Sequence, residues 1–264
     1  MRILYVGDIM GPVGIQVILD VLPGLVKEKN IDLVIAQAEN VSDGKGMTVA
    51  DYELLKAAGV DFFTGGNWSM HRSELHSLLN DPASPVIRPA NYPADVPGLG
   101  WKYVEKNGTK SLIVSLLGHI VGRDADKPTH NPLHVIDAIL KENEGVERNA
   151  TIVNFHGDFS SEKRIIGYYL DGRVTAVLGD HWHVPTADAM LLPNGTAHMT
   201  DVGMCGSLHS SLGVKLSSTV ARWRDGMQTR NELETEGARQ FNAALIDTTD
   251  TGLASLIEHI QRLN

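Results

Sequence analysis

Short apolar runs that end in polar residues recur along the chain, and stretches of helical spacing separate them. RILYVGD (2–8) is apolar up to Asp8, the pattern of a strand buried on both faces. MGPVGIQVILDVLPGLVKEKN (10–30) has its apolar residues at helical spacing. IDLVIAQAEN (31–40) predicts a second buried strand, closing on Glu39 and Asn40. TVADYELLKAAG (48–59) predicts a helix stopped by Gly59. VDFFTGGN (60–67) is a third strand ending in Asn67, and HRSELHSLLN (71–80) opens another helix. Strands alternating with helices predict an α/β protein.

The middle is less regular. LGWKYVEKNGTKSLIVSLLG (99–118) predicts a hairpin turning at Asn107-Gly108. NPLHVIDAILKENE (131–144) is a helix, ATIVNFHGD (150–158) a strand reaching His156, and SSEKRIIGYYLDG (160–172) a helix. RVTAVLGDHWH (173–183) is a strand running into His181 and His183, and MLLPNGTAHMTDVG (190–203) a hairpin turning at Asn194-Gly195. AALIDT and TGLASLIEHIQRL have no decisive period.

The 264 residues show no repeat, low-complexity tract or composition shift, so one domain over 1–264 is expected. The net charge of −9, without a basic block, argues against an extended nucleic-acid surface. It leaves room for a small anionic ligand, because a bound metal can set the local field. The single cysteine, Cys205, suits a reducing compartment and reads as a small buried residue. The N terminus enters a strand at once, and no apolar run approaches ~20 residues, so a cytoplasmic protein with no membrane span is expected. Both NGT triplets, 107–109 and 194–196, are turns rather than glycosylation sites in that setting.

The polar strand ends form a pattern of their own. Asp8, Glu39 with Asn40, Asn67, His156, and His181 with His183 each follow an apolar run. Each has an ordinary explanation alone: a turn, a helix cap, a loop, or a histidine at the core's edge. Together they would converge, because ligands of open α/β sheets bind beyond the carboxyl ends of the strands. Oxygen and nitrogen donors without thiolate suit manganese, iron or zinc. On a strand, the histidine pair would share one face; on a loop, it would grip one ion or flank two. His119, His130, His134, His198, His209 and His259 lack such an arrangement and read as surface or structural residues.

The ordered motifs GD…EN…GGN…FHGD–SSEK…GDHWHVPTAD…TDVGM closely resemble the YmdB-like branch of the calcineurin-like metallophosphoesterases, from residue 1 to about 215. The resemblance implies a four-layer α/β/β/α metallophosphoesterase sandwich with a dinuclear metal site, iron or manganese, at one edge of its sheets. By the same resemblance, Asp8, Asn40 and His183 would hold one ion, Asn67, His156 and His181 the other, and Glu39 would bridge them. The implied activity is metal-dependent hydrolysis of phosphodiesters, 2′,3′- or 3′,5′-cyclic nucleotides among them, by a hydroxide shared between the ions. A phosphomonoesterase or phosphoprotein phosphatase would use the same chemistry. The expected partner is a small phosphodiester, and a homo-oligomer is compatible with the sequence.

One position departs from the family. The usual GNH motif reads GGNW here, so Trp68 replaces a histidine thought to assist the leaving group. An indole N–H donates a hydrogen bond but delivers no proton at neutral pH. Three readings follow: His71 substitutes as the acid, the substrate has a good leaving group, or the protein is a metal- and nucleotide-binding regulator with weakened turnover. His71 also reads as a solvent-facing residue, and His76, one turn further, as structural. Trp182, between the two histidines, and Trp68 would supply an aromatic wall for a nucleobase, or simply pack. Lys163 and Arg164 read as solvated surface cations near enough to approach a phosphate.

Overall fold

The computed structural model describes residues 1–122 and 125–264. Two sheets lie face to face with helices outside each. In chain order the elements are β1 (Arg2–Val6), β2 (Asp8–Ile9), α1 (Gly11–Lys29), β3 (Leu33–Gln37), α2 (Val49–Ala57) and β4 (Phe62–Thr64). Then come α3 (His76–Asn80), β5 (Trp101–Lys106), β6 (Thr109–Leu117), α4 (Pro132–Glu142), β7 (Ala150–His156), α5 (Ser160–Tyr169) and β8 (Ala176–Asp180). The chain closes with β9 (Met190–Leu191), β10 (Ala197–Met199), β11 (Met204–Ser207), α6 (Leu216–Asp225), β12 (Arg239–Thr248) and β13 (Ala254–Leu263).

The first sheet runs β2-β11-β12-β1-β3-β4, with β13 on the other edge of β12; the second runs β5-β6-β7-β8-β10-β9. β1, β3 and β4 are parallel, as are β6, β7, β8 and β10. Strand parity assigns the layers. Ile3, Tyr5, Leu33, Ile35 and Phe62 of the first sheet pack with Ile113, Ile152, Ala176 and Leu178 of the second between the sheets. Their sequence neighbours face outward: Leu4, Val6, Val34 and Ala36 meet α1 and α2, while Leu112, Val114, Val153 and Val177 meet α4 and α5. Both faces of the central strands are therefore buried, which is why their sequences are apolar along most of their length rather than alternating. This is the expected four-layer sandwich.

Local chemistry explains the boundaries. Thr48 caps α2 by accepting the Asp51 N–H at 3.1 Å, and Gly59 follows the helix at φ +108°. Asn107 and Gly108, both at positive φ, close the β5–β6 hairpin in the tight-turn geometry that Asn-Gly favours. The 190–199 hairpin turns through Pro193 and Asn194, with Gly195 left-handed at φ +95°. Two segments depart from the sequence reading, and the two late ones without a decisive period resolve as strands. HRSELHSLLN forms a short 3-10 turn at 73–75 and only five α-helical residues. The strand before His181 ends at Asp180, so both histidines lie on a turn. AALIDT and ASLIEHIQRL lie in antiparallel strands, β12 inside the first sheet and β13 its largely exposed neighbour. No helix among the described residues is long and apolar enough to cross a membrane.

Candidate metal centre

At the carboxyl ends of the parallel strands the inward-facing positions turn polar in both sheets. Ile35 gives way to Gln37, Phe62 to Thr64, Ile113 to Ser115, Ile152 to Asn154 and His156, and Leu178 to Asp180, all buried. The polar ends of the two sheets thus face each other across one edge of the sandwich.

Asp180 organises this layer. It is fully buried and accepts hydrogen bonds from Tyr5 Oη at 2.9 Å and Gln37 Nε2 at 3.0 Å, and also from Asn154 Nδ2. Its Oδ1 lies 2.6 Å from His156 Nδ1. That contact turns His156 Nε2 toward Asn67 Oδ1 at 2.9 Å and Glu39 Oε1 at 3.1 Å. Burial opposes charge on the His156 ring, but Glu39 and Asp180 more than offset it and hold its pKa well above the ordinary value. Burial would likewise raise the Glu39 carboxyl; His156, His181 and the Trp68 N–H, 2.9 Å from Oε2, draw it below the usual range.

The histidine pair sits on a strained turn. His181 has φ +97° and His183 φ +61°, conformations that favour glycine and cost of order 1–3 kcal/mol each. Asp8 Oδ2 accepts the His181 N–H at 3.1 Å, and Asp201 Oδ2 accepts the Trp182 N–H at 2.9 Å. Lys163 Nζ donates to Asp201 Oδ2 at 2.7 Å and to the Asp180 carbonyl at 2.5 Å. Lys163 is therefore a buried strut, not the solvated surface cation its sequence suggests, whereas Arg164 pairs with Asp188 at 3.0 Å on the partly exposed side of α5. His183 Nε2 lies 3.8 Å from Asp8 Oδ1, its Nδ1 is 3.2 Å from the Leu212 carbonyl, and burial and then His181 lower its pKa to about 4. It is thus neutral near pH 7, as a ligating imidazole must be.

The remaining predicted residues lie at or around this edge. Asn40 directs Nδ2 to the Gly44 carbonyl at 3.0 Å, and its own carbonyl accepts the Gly11 N–H at 2.9 Å. Trp68 is half-buried at the rim, with Lys45 Nζ 4.6 Å and Lys127 Nζ 6.0 Å from its ring centre. His71 is exposed and meets Trp68 edge-on at 5.2 Å between centroids. Trp182 carries Lys163 Nζ 4.0 Å from its ring centre, and its Nε1 donates to the Asp158 carbonyl at 3.0 Å. Both indoles thus carry a cation against their rings. Cys205 is buried, with its thiol pushed up to about 12 by burial first and the Asp8 charge beside it, so it stays un-ionised.

These residues fit divalent cations. Asp8, Glu39, Asp180 and Asp201 are all buried, with Lys163 paired to Asp201 and the His156 ring set between Glu39 and Asp180. Uncompensated buried carboxylates are costly, and the Asp8 carboxyl is accordingly raised well above its usual value, by burial first and then by Asp180. Asp8 Oδ1 and Asn40 Oδ1 are buried without a hydrogen-bond partner among the described residues. Ligand atoms of Glu39, His156 and His181 lie within 4.8 Å of one another. Asp158 was not singled out in the sequence, yet its Oδ2 lies 3.3 Å from His181 Nε2. Asp180, Asp201 and Asn154 were missed as well.

Comparison with known proteins agrees with this architecture. The family model described as YmdB-like protein matches residues 4–260, and the chain belongs to that family. A 2′,3′-cyclic-nucleotide 2′-phosphodiesterase of Bacillus subtilis is 35% identical over 262 residues, 98% of this chain and 96% of that protein. A crystal structure of a novel phosphatase from Mycoplasma pneumoniae superposes with a TM-score of 0.91 at 31% identity, covering 100% of this chain and 93% of that one. A hypothetical protein of Thermus thermophilus gives 0.90 at 35% identity, with both chains fully covered.

Proposed function

We propose that this member of the YmdB-like family is a metal-dependent phosphodiesterase acting on small phosphodiesters, with 2′,3′- or 3′,5′-cyclic nucleotides as the substrate class. The observation that carries the reading is the pair of buried oxygens, Asp8 Oδ1 and Asn40 Oδ1, that have no hydrogen-bond partner among the described residues, in a cluster rich in carboxylate and imidazole donors. The Bacillus subtilis relative, similar over nearly its whole length, supports the substrate class.

In this reading Asp8, Asn40 and His183 would hold one ion and Asn67, His156 and His181 the second, with Glu39 a ligand available to both. Iron or manganese there would supply a water acidic enough to act near neutral pH and neutralise the phosphoryl oxygens. The chain's own groups do the rest. Asp180 fixes the His156 ring through its 2.6 Å contact. Lys163 and Asp201 hold the turn that presents His181 and His183. Lys45 and Lys127, at the Trp68 rim, place positive charge where a phosphate would enter. Trp68 has no proton to give, and His71 at its edge is the candidate acid for the leaving alkoxide.

Trp68 in place of the family histidine favours a second reading, a ligand-binding regulator with weakened turnover. One assay separates these readings. Manganese- or iron-loaded protein is given 2′,3′-cyclic AMP and, in parallel, p-nitrophenyl phosphate. Faster turnover of the diester supports the phosphodiesterase, and preference for the monoester supports a phosphomonoesterase. Tight binding of 2′,3′-cyclic AMP without turnover of either supports the regulator.

A further inference from the structure

Beyond the ends of β6 and β7 lies a pocket of about 460 Å³. Leu117, Ile120, Phe155, Ile165 and Ile166 give it apolar walls. Its polar side is formed by His119, whose Nδ1 pairs with Glu162, together with Lys127, Thr129, His130 and Asn131. That volume, with apolar walls on one side and polar groups on the other, falls in the range of small-molecule sites, roughly 300–1,000 Å³.

Three contacts join this pocket to the donor cluster. Lys127 lines the pocket, and its Nζ donates to the Asn67 carbonyl at 3.2 Å. Gly118 lines it, and its N–H donates to the His156 carbonyl at 2.8 Å. The His119 carbonyl accepts the Asp158 N–H at 2.9 Å, while Asp158 Oδ2 stands 3.3 Å from His181 Nε2. Residues 117–119 and 155–158 therefore form a wall common to both.

We propose that this pocket seats the nucleobase of a phosphodiester whose phosphate lies at the donor cluster, with Lys127 at the junction between them. The inference rests on the phosphodiesterase reading and adds where specificity is set. A nucleobase matches the pocket's chemistry, with apolar faces for the isoleucines and Phe155 and hydrogen-bonding edges for His119, Glu162 and His130. Lys127 complements the phosphate's charge at the point where the two parts of the ligand meet. The indoles are less available for stacking, because Lys163 covers Trp182 and Lys45 and Lys127 approach Trp68.

The test uses the full chain loaded with manganese and 8-azido-2′,3′-cyclic AMP as photoprobe. Adducts are expected in the peptides covering 117–133 and 155–166, suppressed by excess adenosine, which has the base and no phosphate. Labelling confined to other segments, no labelling, or no competition by adenosine overturns the proposal. Ile165→Trp, at a position 56% exposed and so compatible with folding, adds bulk to the pocket. It should lower the ratio of kcat/KM for 2′,3′-cyclic AMP over methyl p-nitrophenyl phosphate at least tenfold, chiefly through KM. A ratio within twofold of wild type also overturns the proposal. If the wild type hydrolyses neither diester, the phosphodiesterase reading falls, and the labelling still decides the pocket.

Discussion

His156 Nδ1 and Asp180 Oδ1 lie 2.6 Å apart, and both side chains are completely buried. The contact joins β7 to β8 and leaves His156 Nε2 as the nitrogen facing Asn67 and Glu39. Carboxylate partners of ligating histidines typically contribute 10–100-fold in metal affinity. Asp180→Asn should therefore weaken manganese binding by about 10–100-fold with little change in far-UV circular dichroism. A chelator competition titration measures this, and unchanged affinity would remove Asp180 from the site.

Lys163 and Asp201 form a completely buried ion pair at 2.7 Å. Removing one partner leaves a buried charge uncompensated, a loss of about 3–5 kcal/mol. Lys163→Met should lower unfolding stability by about that amount in urea titrations. The double variant Lys163→Met, Asp201→Asn should regain part of the loss, because the unpaired carboxylate is gone. A double variant as unstable as the sum of its singles would contradict the pairing.

Two glycines make opposite predictions. A Cβ on Gly66 would meet the His156 ring at 2.6 Å and crowd Glu39. Gly66→Ala should reduce the manganese bound per chain, measured by elemental analysis after gel filtration. Gly24, on the exposed side of α1, has open space where a Cβ would go. Gly24→Ala should stabilise the protein by about 0.5–1 kcal/mol through the lower helix cost of alanine, read as a raised Tm.

His71 is exposed and in edge contact with Trp68. If it protonates the leaving group, its loss matters in proportion to that group's basicity. His71→Ala should lower kcat for 2′,3′-cyclic AMP about 10²-fold and affect bis(p-nitrophenyl) phosphate much less, since p-nitrophenolate leaves without help. An equal loss on both substrates would assign His71 a positional role.

The sequence and structure agree most closely where physics leaves a local mark. Central strands buried on both faces are apolar over most of their length, so Asp8, Glu39, Asn67 and His181 stand out as the first polar residues past their ends. Asp180 and Asn154 were hidden because they lie inside such runs, at the inward parity that only pairing of the sheets reveals. Lys163 looked solvated because its partner is 38 positions away, in TDVGM. β13 was illegible because it covers an edge with few buried residues, and its pattern gives little sign of a strand. His119 and His130 showed no arrangement in sequence; the loop after β6 brings them to the pocket.

The most direct test of the central claim is a manganese titration of metal-free protein, with 2′,3′-cyclic AMP hydrolysis followed at each step. The account predicts activity that rises to a plateau at two equivalents per chain and is abolished in Asp8→Asn. Full activity in excess chelator, or in Asp8→Asn, would contradict it.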